Sequence, residues 1–309
     1  MRWLVLGAGG VGGYFGGRLQ EAGGDVTFLV RPARAATLRQ QGLLIESPDG
    51  AARLRPRLLL PGEGAPQPFD AVLLTCKAYD LEAAITTLAP YVERGTMILP
   101  LLNGLLHLER LEAAFGAERV LGGLCHISAT LGAKGEIRHL DLPPRLMFGE
   151  RAGGSTARIE AIAADLAPAK FKSAASDNVL QDMWEKFTLL ASLAGVTCLM
   201  RGTVGEIVRS GGASIARSML GEAAAVATAS GHGPRAKFFE ATEQRLTDSA
   251  STVQASMLRD LERGGPTEGA HILGDMVARG RRLGLATPLI EAAACHVAVY
   301  EARRAATRS

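Results

Sequence analysis

The 309-residue sequence predicts an α/β protein in two parts, a doubly wound parallel sheet over 1–175 and an all-helical domain over 176–309. Three observations carry that reading. Residues 3–6 (WLVL) are a continuous apolar run, followed by a glycine-rich turn and a second apolar run at 26–30. Strands buried on both faces of a parallel sheet have this character. Apolar runs and stretches of helical spacing then alternate as far as 166, the pattern of repeated βα units. From about Ser176 the alternation stops, and nearly everything to the end has helical periodicity.

The turn after the first strand is Gly7-Ala8-Gly9-Gly10-Val11-Gly12, which fits GxGxxG. In that motif the first glycine makes the tight turn, the second lets backbone approach a pyrophosphate, and the third lets helix and strand pack closely. The helix predicted over 11–22 aims free N–H groups and the positive end of its dipole at the same place. With a strand before it and a helix and strand after it, the turn reads as a Rossmann-type dinucleotide site. Folds of this kind that select NAD place Asp or Glu at the end of the second strand, where it accepts from the ribose 2′-OH. Here that position is Arg31, followed by Arg34. A guanidinium pairs with a 2′-phosphate that a carboxylate would repel, so the expected cofactor is NADP, in its reduced form NADPH.

The chain then reads as a helix at 35–41, strands at 43–46 and 52–60 around a Pro-Asp-Gly turn, and a loop at 61–66. A strand at 71–75 ends in Cys76-Lys77. Lys77 lies beyond the carboxyl end of a parallel strand, where ligands of such sheets bind; a solvated helix-start residue is the alternative. A helix at 79–92 and a strand at 97–102 lead to Asn103-Gly104. That amide either bonds a carbonyl or ribose or makes an ordinary turn. Next come a helix at 108–115 and a strand at 120–125 that ends near His126 and Ser128. Segments 135–139 and 145–149 are expected to pair and extend the sheet, and 157–166 is a helix. Helices follow over 178–193, 204–210, 215–230, 236–246, 266–283 and 287–304, the first capped by Ser176 or Asp177.

At 47% hydrophobic and 21% charged, with a net charge of +3 and no block of like charges, the composition is that of a folded globular protein without a nucleic-acid footprint. Cys76, Cys125, Cys198 and Cys295 are scattered, with no metal-ligand spacing, and read as buried free thiols of a reducing compartment. No apolar run is long enough to cross a bilayer, and Arg2 precedes a strand and turn where a signal peptide would carry its apolar region. The expected place is the cytoplasm, and the expected partner a small molecule. The apolar content of the helical half suits its own core or a face shared with a second copy in a homodimer; spacing does not separate the two.

A nicotinamide positions a hydride, so the protein must supply a proton and hold the carbonyl. In Met183-Trp184-Glu185-Lys186-Phe187 one lysine lies in an otherwise apolar helix. Its ammonium either stabilises and protonates a developing alkoxide or snorkels to the helix edge. Ser256 can donate to a substrate carboxylate or simply sit near a helix end. Glu268, after Pro266-Thr267, lies near a predicted helix start, where the dipole favours a carboxylate whatever its role.

These residues occur in a familiar order. The chain resembles the ketopantoate reductase (2-dehydropantoate 2-reductase) family from end to end, through GAGGVGGYFGGRL, Arg31, Cys76-Lys77-Ala78, Leu102-Asn103-Gly104, Trp184-Glu185-Lys186, Ser256-Met257-Leu258 and Pro266-Thr267-Glu268. The resemblance implies a Rossmann domain joined to a C-terminal domain like that of 6-phosphogluconate dehydrogenases, with NADPH as reductant. It implies Lys186 as general acid on the ketone oxygen and Glu268 as its polar partner beside the nicotinamide ribose. Ser256 would hold the substrate carboxylate and Asn103 would bridge cofactor and substrate, while Arg31, Lys77 and Ser128 fall at cofactor positions. Leu190, Ala194 and Val204 stand where well-known members have asparagines that contact the substrate. Losing such contacts costs on the order of 1–3 kcal/mol for each unpaired partner. The expected reaction is thus reduction of a 2-oxo acid, ketopantoate first among them, in pantothenate biosynthesis. A more apolar 2-oxo acid, or NADP binding without catalysis, is the alternative.

Overall fold

A computed structural model describes residues 1–65, 67–140 and 143–307. Pro66 at the end of the predicted 61–66 loop, and the last two residues of the predicted helical domain, lie outside the described residues. The chain divides into two compact units, one of Met1–Leu102 and His107–Val179, the other of Asn103–Leu106 and Leu180–Ser309.

The first unit is built on a five-stranded parallel sheet of β1 (Arg2–Leu6), β2 (Asp25–Leu29), β5 (Arg57–Leu59), β6 (Ala71–Leu74) and β7 (Met97–Pro100), in the order β5-β2-β1-β6-β7. The order reverses between β1 and β6, the switch point beside which ligands of doubly wound sheets bind. Trp3, Leu4 and Val5 are fully buried, as a strand covered on both faces requires. Helix α1 (Gly10–Glu21) packs on the sheet through Gly16, where an added Cβ would lie 2.9 Å from Val5.

Two smaller sheets complete the unit, and here the structure departs from the sequence expectation. The predicted pair 135–139 and 145–149 does not pair. β10 (Ile137–His139) lies between β3 (Leu43–Glu46) and β9 (Ala129–Leu131), with β4 (Ala52–Leu54) beyond β3. β11 (Arg145–Gly149) instead lies between β8 (Gly122–His126) and β12 (Lys172–Ala175). Both segments alternate in burial, and alternation reports a half-buried strand without naming its neighbour. The predicted strand 52–60 is two strands in different sheets, β4 and β5, because Pro56 lies between them and offers no ladder N–H.

The second unit is helical. Its longest elements are α6 (Val179–Met200, whose first residue belongs to the other unit), α8 (Ala213–Ala229) and α12 (Pro288–Ala306). α6 meets α8 at Gly195, where a Cβ would stand 2.3 Å from the Met219 sulfur. The start of α12 carries Pro288 in its first turn, and the Leu289 and Ile290 N–H groups each donate to the Glu222 carboxylate of α8 at 3.0 Å. That carboxylate answers donors the helix cannot satisfy itself. The predicted single helix over 266–283 is instead an irregular stretch through Glu268, a π-helical turn at Ala270–Gly274, and α11 (Asp275–Arg282). Such turns widen the helix where side chains must be repositioned. Among the described residues no helix is long and apolar enough to cross a membrane. The thiols are not all buried: Cys295 is exposed and Cys76 half-buried, while Cys198 is buried and its thiol pushed up to about 12 by burial.

Candidate functional site

In the first unit, Gly7, Ala8, Gly9, Arg31 and Lys77 line one cavity of about 350 Å³ at the carboxyl ends of β1, β2 and β6. The glycines divide the work. Gly7 has φ +96°, the left-handed region. A Cβ on Gly12 would stand 2.2 Å from the Gly7 carbonyl oxygen and 2.2 Å from Thr75 Oγ1, so helix and strand touch there. A Cβ on Gly9 would meet nothing within 4 Å among the described residues: that face of the turn is open. α1 begins with no side-chain cap and no acidic residue in its first turn, which leaves its N-terminal N–H groups and dipole to an anion. Val11 lies in that first turn. On Gly10 a Cβ would stand 2.6 Å from the Ala129 carbonyl oxygen; Ser128, the residue before Ala129, does not line the cavity.

Beside Arg34, expected with Arg31 at a 2′-phosphate, this cavity holds two residues not singled out from the sequence, Thr75 and Asp80. Thr75 donates from its hydroxyl to the Leu6 carbonyl at 2.8 Å and pins the turn. Arg34 donates through Nε to the Ala8 carbonyl at 3.0 Å and through Nη1 to the Gly135 carbonyl at 2.7 Å, while its Nη2 is buried with no partner among the described residues. Burial pulls this guanidinium below its ordinary pKa. Asp80 lines the same cavity and pairs with Arg31 at 2.9 Å. The open face at Gly9, the uncapped helix start and the unanswered Arg34 nitrogen fit a ligand that carries phosphate.

Asn103 does not line that cavity; with Leu106 it bounds a short segment that belongs to the helical unit. Its backbone bonds the imidazole of His271, and a Cβ on Gly104 (φ +78°) would stand 3.0 Å from that ring. His271 lies on the π-helical turn, and the N–H groups of His271 and Ile272 donate to the Glu268 carbonyl at 3.1 and 3.0 Å. The imidazole is buried, and burial lowers its pKa against the opposing pull of Glu268, Asp275 and the Asn103 bond. The structure thus gathers Asn103 and the buried Glu268 around a histidine the sequence reading did not select. Only its spacing of three residues from Glu268 hinted at it.

Lys186 is half-buried on α6, between buried Glu185 and Phe187. The preceding turns of α6 are strapped by residues 231–235. Arg235 donates to the Glu185 carboxylate from its backbone N–H at 2.9 Å and from Nε at 2.7 Å, and reaches Asp182 at 2.5 Å. Gln181 donates to the Gly233 carbonyl at 2.9 Å. Burial works to raise the Glu185 carboxyl, but hydrogen bonds and charge from Arg235 outweigh it and hold the group below its ordinary value. On the preceding residue, the His232 ring stacks on Trp184 at 5.7 Å, and the Arg279 guanidinium sits 5.5 Å from the same indole. Arg279 in turn pairs with Asp275 at 2.9 Å, the residue after the π-helical turn. Ser256 is exposed at the start of α10 (Ser256–Glu262), and the preceding Ala255 N–H donates to Thr197 of α6 at 3.4 Å. Leu190 is half-buried, and Ala194 and Val204 are buried.

The family model for ketopantoate reductase PanE/ApbA matches residues 3–153, and the model for the C-terminal part of the same family matches 178–301. The chain belongs to the ketopantoate reductase family. Among its relatives, the uncharacterized oxidoreductase YkpB of Bacillus subtilis (strain 168) is 39% identical over 98% of this chain and 100% of its own length. The crystal structure of 2-dehydropantoate 2-reductase from Geobacter metallireducens GS-15 is 32% identical, covers 96% of this chain and 99% of its own, and superposes with a TM-score of 0.85. The ternary structure of D-mandelate dehydrogenase with NADH and anilino(oxo)acetate shares the fold at 22% identity, with a TM-score of 0.88 over 98% of this chain and 99% of its own. This ketopantoate reductase family member is thus matched in both parts of the family, the N-terminal and the C-terminal.

Proposed function

We propose that the protein reduces a 2-oxo acid to the 2-hydroxy acid with NADPH, with ketopantoate as the first substrate to test and pantothenate biosynthesis as its setting. What supports this above all is the family match across both parts of the chain, with Lys186, Ser256 and Glu268 all present in the helical part. Gly7, Gly9 and the start of α1 would hold the pyrophosphate, and Arg31, Arg34 and Lys77 would favour a phosphorylated adenosine ribose. When bound, the cofactor supplies a hydride to the ketone carbon. Lys186 donates the proton to the ketone oxygen and stabilises its negative charge as it develops. Glu268 orients that ammonium, Ser256 binds the substrate carboxylate, and Asn103 holds the ketone and the nicotinamide ribose in register.

The test is NADPH oxidation with ketopantoate beside a panel of 2-oxo acids. Lys186→Ala should lower kcat by about 10²–10⁴-fold with NADPH affinity retained; full turnover in that variant rejects the assignment. A second reading is favoured by Leu190, Ala194 and Val204, which offer no polar partner to a hydroxylated substrate. On that reading a bulkier, more apolar 2-oxo acid turns over faster than ketopantoate. NADPH binding with no turnover on any acid of the panel points to a binding protein.

A further inference from the structure

We infer that Asp80 is a cofactor-selecting residue, whose carboxylate stands beside Arg31 in the cavity wall and moderates the preference for a 2′-phosphorylated dinucleotide. The inference rests on the nicotinamide-cofactor reading of that cavity. Arg31 stands two residues beyond the end of β2, at the position where NAD-selecting folds carry the carboxylate that contacts a ribose 2′-OH. The carboxylate arrives from elsewhere. Asp80 closes the short helical turn Ala78–Asp80 that follows β6, lines the cavity, and reaches Arg31 at 2.9 Å.

The two arginines of the wall differ in freedom. Arg34 is fixed by the Ala8 and Gly135 carbonyls and keeps a buried nitrogen in hand. The Arg31 side chain is 74% exposed and that of Asp80 36%, and ion pairs so placed are weak and rearrange readily. A 2′-phosphate draws Arg31 away from Asp80 and leaves the carboxylate facing a second anion, which like-charge repulsion opposes. A 2′-hydroxyl donates to Asp80 and leaves the pair intact. One fixed cation and one carboxylate-tethered cation thus discriminate less than two free arginines would, and the unphosphorylated cofactor stays usable.

The experiment titrates NADPH and NADH separately into the full-length protein, following nicotinamide fluorescence, for wild type, Asp80→Asn and Arg31→Gln. Asparagine keeps the size of the side chain and its place at the start of the next helix. Asp80→Asn should tighten NADPH by about 3–10-fold, within the range of a removed like charge, without tightening NADH. Arg31→Gln should shift the Kd ratio the other way. A ratio unchanged by Asp80→Asn, or both affinities moved equally as a purely structural effect would move them, overturns the inference. Binding of neither nucleotide by wild type overturns the cofactor reading itself, a distinct result.

Discussion

The cavity of the sheet unit and the lysine helix of the helical unit are assembled from different materials. At the turn of Gly7, Gly9 and Gly12 what matters is the side chain that is absent: φ +96° at Gly7, open space at Gly9, contact at 2.2 Å at Gly12. Around Lys186 the backbone is an ordinary helix, and what matters is a set of side chains from segments far apart in sequence, Arg235 on Glu185, His232 and Arg279 on Trp184, and Asp275 on Arg279. A site made of backbone shape is encoded by neighbours in the chain. A site made of side-chain partners depends on the whole packing of its unit.

That contrast can be broken in three places. The largest effect is expected at the strap. Arg235→Met leaves the Glu185 carboxylate, only 5% exposed, without its main partner. The loss should be about 2–4 kcal/mol, below the full penalty of an orphaned buried charge because Arg235 is itself more than half exposed. A urea titration measures it, and an unchanged midpoint would show that the strap does not anchor α6.

The glycine turn gives a paired test. Gly12→Ala should cost about 1–3 kcal/mol, since a backbone oxygen must move. Gly9→Ala should leave stability within about 0.5 kcal/mol yet weaken nucleotide binding, because its added methyl enters the open face. Equal thermal shifts in the two variants would contradict the division of labour among the glycines.

The smallest effect is in pH dependence. The folded pKa of His271 lies below its ordinary 6.5, so the unfolded chain binds the proton first. Its contribution is fully present above that value and is lost as pH falls below it. Glu185, held below its ordinary 4.5, contributes stability above that value which is lost as pH falls through its lower folded pKa. Melting temperature against pH should therefore fall in two stages. His271→Gln should flatten the upper stage and leave the lower one; an unflattened upper stage would assign it to another group.

Much of the fold was legible because it rests on local patterns. The apolar runs of β1, β2, β6 and β7 announced buried parallel strands, and the end of alternation near Ser176 announced the helices. β10 and β11 were legible as strands but not as members of different sheets, since a side-chain pattern of period two carries no address. The stretch 266–274 carried helical spacing and yet widened into a π-helical turn, a matter of how Gly269 and Leu273 fit against α12 and α6.

By itself the sequence determined the glycine turn, the two-part architecture, the family and the residues proposed for chemistry, because each is written in neighbouring positions or in side-chain type. Tertiary structure alone decided that Asp80 stands against Arg31, that Asn103 rests on His271, and that Glu185 is answered by Arg235. The physical reason is range. Backbone conformation and hydrophobic period are set over a few residues, whereas the partner of a charge is whichever group the completed packing brings within about 3–4 Å.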